Sequence, residues 1–142
     1  MKYLRKFNES VSSEISDILL ELEDIGFKTS TSENLELKEY FINIENIEGV
    51  EFRFSEISDS ILRLVDYLSD NGLYLQHISI DNVTLRTQSN SFFDGRHPDG
   101  VIDDISNDKL SRYYPDRGGV SSIRPNKVNH VQLYFRKWYI NI

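Results

Sequence analysis

ISDILLELEDIGF (Ile15–Phe27) and ISDSILRLVDYLSDNGL (Ile57–Leu73) are built to one plan. In the first, Ile15, Ile18, Leu19, Leu22 and Ile25 recur at the spacing of one helical face. Ser10, Ser12 and Ser13 precede it as possible N-caps, and Gly26 stands where a left-handed C-terminal residue belongs. In the second, Ile57, Ile61, Leu64, Val65 and Leu68 line one face, Ser55 or Ser58 can cap it, and Asn71-Gly72 ends it. Each is followed by a strand-like run, Phe27–Ser30 after the first and Leu73–Ile80 after the second. The repeated order helix, glycine, strands raises the possibility of two related helix–strand–strand units, although glycine-capped amphipathic helices resemble one another by chance.

Further strands are expected at Glu39–Glu45, Val50–Phe54, Val83–Thr87 and Val131–Ile140. Tyr40/Ile42/Ile44, Val50/Phe52/Phe54 and Val131/Leu133/Phe135 alternate with polar neighbours, the pattern of a sheet with one buried face. The expected class is therefore α+β: an antiparallel or mixed sheet of about five strands, with two amphipathic helices on one face. A single domain over residues 1–142 fits this length. Between the last two strands the pattern stops. Residues 88–129 carry all three prolines and four of the seven glycines. They read as a long irregular segment, with a short helical turn at Ile102–Leu110, and such segments are commonly functional.

Charge is unevenly spread. Between Asn8 and Leu85 there are seventeen acids against Lys28, Lys38, Arg53 and Arg63, for −13; the segments before and after each carry +3, giving the total of −7. A one-signed surface of this kind favours a basic protein partner and opposes nucleic acid. Glu14, Asp17, Glu21 and Asp24 form a stripe along one side of the first helix and are the partner-binding candidates, set against the ordinary role of such a run as a solvated face. No cysteine is present, which removes disulfides and thiolate chemistry. Neither an apolar leader nor a membrane-length run is seen, so a cytoplasmic protein without membrane association is expected. Alanine is absent while Ile occurs fifteen times and Asn eleven, a bias best explained by AT-rich coding.

Three groups could hold a ligand. Arg117-Gly118-Gly119, with Arg112 and Arg124 nearby, could present amides and guanidinium groups to an anion, although the P-loop pattern is missing. On the last strand, period two places His130, Gln132, Tyr134, Arg136 and Trp138 on the face opposite the core, where aromatic and cationic groups could grip a nucleotide-like ligand. Asp94, His97, Asp99, Asp103 and Asp104 supply metal-type donors, but the spacing fits no calcium loop and Asp-Gly is an ordinary turn sequence, so no metal and no cofactor are expected. The histidines, His77, His97 and His130, are far apart, and no hydrolase, zinc-protease, Walker or dinucleotide motif occurs. Catalysis is not expected.

The opening MKYLRKFNES resembles the start of small uncharacterised proteins of tailed bacteriophages, and the run Tyr134–Lys137 is similar to theirs as well. These residues are a small fraction of the chain and carry no family site. The resemblance implies a phage-like source and a host-cell cytoplasmic location. The favoured reading is a non-enzymatic acidic binding protein that modulates a host or defence protein. The alternatives are a small anionic-ligand binder and a virion or assembly component.

Overall fold

The computed structural model describes residues 14–34, 36, 38–86, 98–109 and 123–137. The elements are α1 (14–24), β1 (Phe27–Asn34), β2 (Glu39–Asn46), α2 (Ser58–Asp70), β3 (Leu73–Ile80), β4 (Val83–Arg86), α3 (Pro98–Ser106) and β5 (His130–Lys137). The strands form one antiparallel sheet in the order β1-β2-β5-β3-β4. The α+β expectation holds, with five strands and with a third helix inside the segment read as irregular. Because β5 enters between β2 and β3, the two hairpins lie on either side of the last strand. The first hairpin puts its second strand inward and the second puts its first strand inward, so the similar sequence units do not occupy equivalent places in the sheet.

One face of the sheet is buried. Ile42 and Ile44 of β2, Val131, Leu133 and Phe135 of β5, and Leu75, Ile78 and Ile80 of β3 join a single apolar cluster. The helices close it from above with Ile15, Ile18 and Leu22, then Ile61, Leu64, Val65 and Leu68, then Val101, Ile102 and Ile105. The helical spacing of these residues is what lets each helix turn one stripe to the sheet. Phe27 meets Phe52 edge-to-face, their ring centroids 5.0 Å apart. Leu19 is only half-buried, and Ile25 is 60% exposed. The reason lies at Gly26, whose φ of +101° ends the helix and takes Ile25 off the core stripe.

Three local expectations change. The run Val50–Phe54 is not a strand: only Phe52 bridges, to Val128, and Phe54–Glu56 forms a 3₁₀ turn in which the Glu56 carboxylate accepts the Arg53 N–H at 2.9 Å. Val50 is exposed, while Phe52 and Phe54 are buried. No side chain caps α2: its N-cap is Ile57, which is itself buried, and the Ser58 hydroxyl donates to the Ser55 carbonyl instead. The expected turn at Ile102–Leu110 is α3, which starts four residues earlier at Pro98. Proline is well suited to a helix's first turn, where its missing N–H costs nothing. The segment 88–129 is also anchored at its far end, where Ile123, Pro125 and Val128 are buried and the Phe54 N–H donates to the Pro125 carbonyl.

The β3–β4 hairpin turns on Asp81 and Asn82, both at positive φ, the pair a tight two-residue turn requires. Asp81 does a second job. Its carboxylate accepts the N–H groups of Asn129 and His130, each at 2.9 Å, and so ties the entry of β5 to the hairpin.

Candidate binding surfaces

The sheet face opposite the helices is centred on Tyr134. The β2–β5 register sets Phe41 beside it and the β3–β5 register sets His77 on its other side. Phe41 and Tyr134 stack with centroids 4.8 Å apart and planes 7° from parallel; His77 lies 4.6 Å from Tyr134, tilted by 48°. A bulge delivers His77. The register slips between Leu75 and His77, so Gln76 is passed over. Without that extra residue Gln76 would stand opposite Tyr134 and His77 would point at the core, because a one-residue shift reverses every side chain.

The Tyr134 hydroxyl donates to the Glu39 carboxylate at 2.6 Å. Loss of water around the phenol, then this bond and the Glu39 charge, push its pKa up to about 12, with Arg136 acting in the opposite sense. Beside this row lies a polar one: the Gln132 amide donates to Asn43 at 3.1 Å, and the hydroxyls of Ser79 and Thr84 are 3.0 Å apart. On the buried side of the sheet Tyr40 is also held above the ordinary phenol range, by burial first and the charge of Glu33 second, against a bond with Thr31.

The helical layer presents a different surface. Glu14, Asp17, Glu21 and Asp24 are all exposed on α1. Glu21 is engaged: its carboxylate takes both guanidinium nitrogens of Arg63 on α2 and holds that group above its usual pKa. Glu14, Asp17 and Asp24 remain open to solvent. Lys28 pairs with Glu45, and Arg63 with Glu21.

Of the ligand candidates on the last strand, Tyr134 and Arg136 stand on one face, as period two requires. Arg124 is exposed in the turn before β5, its carbonyl accepting the Lys127 N–H. Arg112, Arg117, Gly118, Gly119 and Trp138 lie outside the described residues, as do Asp94 and His97 of the metal candidates. Asp99 is in α3. Among the described residues no group of three or more His, Asp or Glu side chains is gathered as a metal site, and no helix is long and apolar enough to cross a membrane. Phe41 and His77 were not singled out from sequence. Their signal was present in part, since Phe41 is an aromatic residue out of phase with Tyr40, Ile42 and Ile44.

The chain matches no family model, no curated protein and no solved structure.

Proposed function

We propose that this is a non-enzymatic binding protein whose helical layer engages a basic surface of another protein. One observation carries the reading. Residues 14–24, 58–70 and 98–106 together hold eleven acids and one base, and that base, Arg63, is already taken by Glu21. The resulting field would attract a cationic surface from a distance and repel polyanions. The resemblance of the opening residues to tailed-phage proteins supports a host or defence protein as the partner, met in the host cytoplasm. The nucleotide-like ligand is less well supported, because Phe41 already stacks on the Tyr134 ring and His77 lies 4.6 Å from it, which leaves less room for a base.

The test is affinity capture with mass spectrometry, comparing the wild type with a Glu14→Lys, Asp17→Lys, Asp24→Lys variant at low and high salt. Glu21 is left unchanged to preserve its bridge. Loss of the same partner with the variant and with salt is expected. A partner retained through both would overturn the reading. Recovery of the protein in purified virions would favour an assembly role instead. Duplex DNA at physiological salt should give no gel shift.

A further inference from the structure

β1 forms one edge of the sheet; it is eight residues long, free of proline and bulges, and Ser30 to Asn34 are exposed. Proteins commonly guard an exposed edge with prolines, bulges or charge, since its unpaired backbone groups invite another strand. Here Thr29, Ser30, Thr31 and Ser32 form a neutral centre between Lys28 and Glu33.

The phase of the ladder is fixed by the Ile47 N–H, which donates to the Gly26 carbonyl at 3.0 Å. Given the register Phe27↔Asn46, even-numbered residues of β1 bond to β2. The N–H and C=O groups of Thr29, Thr31 and Glu33 therefore turn away from the sheet. Their side chains share the helix side of the sheet. There the Thr29 hydroxyl donates to Glu23 at 3.3 Å, so a carboxylate from α1 stands at one end of the edge, and Glu33 supplies another at the far end. Lys28, on the opposite side, is matched by Glu45 at 3.9 Å.

We propose that β1 is a docking edge for an extended basic segment of a partner protein, which adds to the sheet as a further strand with two cations, four residues apart, facing Glu23 and Glu33. The spacing follows from the positions of Thr29 and Glu33, which a paired strand must repeat. Charge selects the occupant. A second copy would bring another net charge of −7 and the same two carboxylates, whereas a lysine- or arginine-bearing strand neutralises them. The inference rests on the proposed engagement of a basic partner and specifies how it binds.

The probe is a nine-residue N-acetylated peptide amide with Lys at its third and seventh positions and Thr elsewhere, titrated against the full chain by calorimetry. Binding is expected. Thr31→Pro should weaken it about tenfold, because proline removes an outward N–H and leaves the β1–β2 ladder intact. Should that variant fold poorly by circular dichroism, peptides N-methylated on alternate residues replace it: methylation in one phase should abolish binding and in the other should not. Moving the second Lys to the sixth position should also weaken binding, since it then faces the wrong side. No binding at millimolar peptide, or binding indifferent to methylation phase, overturns strand addition. If binding is indifferent to Thr31→Pro and to methylation but lost on charge reversal at Glu14, Asp17 and Asp24, the acidic reading stands and the docking edge falls. A wild-type dimer dissociated by Thr31→Pro would assign the edge to a second copy and overturn the proposal.

Discussion

The two outward surfaces of this molecule are made from the same short list of residue types and behave as opposites. The three helices carry eleven acids and one base; the five strands carry three acids and four bases. On the helical side the carboxylates of α1 and α2 are exposed and act through their summed field, while Asp104 of α3 is buried. On the sheet side the polar groups are half-buried and bonded to one another, as Tyr134 to Glu39 and Gln132 to Asn43. On an exposed helix, water screens like charges three or four residues apart, which cost only about 0.2–0.5 kcal/mol a pair, whereas polar groups on a half-buried sheet face must bond to one another. The helical surface is therefore suited to long-range attraction, and the sheet face to short-range fit.

The largest effect should come from removing what joins the two surfaces. Leu22 lies fully buried between α1 and the sheet. Leu22→Ala should cost about 2–5 kcal/mol in chemical denaturation. Leu20, on the side of α1 away from the core stripe and 54% exposed, should change stability by no more than about 0.5 kcal/mol when replaced by Ala. Equal losses at the two positions would mean that α1 does not meet the sheet through the stripe identified here.

A smaller effect belongs to the sheet face. Tyr134→Phe keeps the stack with Phe41 and His77 but deletes the bond to Glu39, at a cost of about 1 kcal/mol. The pH dependence gives an independent check. A phenol whose folded pKa is raised from 10.0 to about 12 favours the folded state while it is protonated. Its contribution is complete below pH 10.0 and is lost as pH rises from there towards about 12. The wild type should lose stability over that alkaline interval more steeply than Tyr134→Phe, measured by urea midpoints. Parallel curves would show that the phenol is not held in the way described.

The fold was legible where periodicity is strong. The stripes of α1 and α2 and the alternation in β2 and β5 each stand out within a dozen residues, whereas β3 shows only as a strand-like run because its bulge breaks the alternation. α3 was obscured because Pro98-Asp99-Gly100 is both a turn sequence and an acceptable helix start, and only the burial of Val101, Ile102 and Ile105 decides between them. The run Val50–Phe54 failed in the other direction: its alternation is real for Phe52 and Phe54, but the chain bends into the 3₁₀ turn after a single bridge. The aromatic row was readable only at Tyr134. Tyr134 and Arg136 follow from counting along one strand. Phe41 and His77 join them through strand order and a bulge, and pairing between distant segments leaves little trace in a single sequence.

The smallest change in stability should be the most discriminating for function. Arg63 is the single base on the described helices 14–24 and 58–70, and it lies on the surface beside Glu21. An exposed pair contributes little to folding, so Arg63→Gln should leave the melting temperature nearly unchanged. Its electrical effect is larger. The substitution removes the one positive charge of that surface and frees the Glu21 carboxylate to act with Glu14, Asp17 and Asp24. If the helical layer attracts a basic partner, the association rate should rise at low salt, while the dissociation rate, set by short-range contacts, stays the same. The gain should fade as salt is raised and disappear near 1 M, where the screening length falls to about 3 Å. Stopped-flow association with the captured partner, or surface plasmon resonance across a salt series, measures both rates. An unchanged association rate would move the site of attraction away from α1 and α2, and the sheet side would then have to account for binding alone.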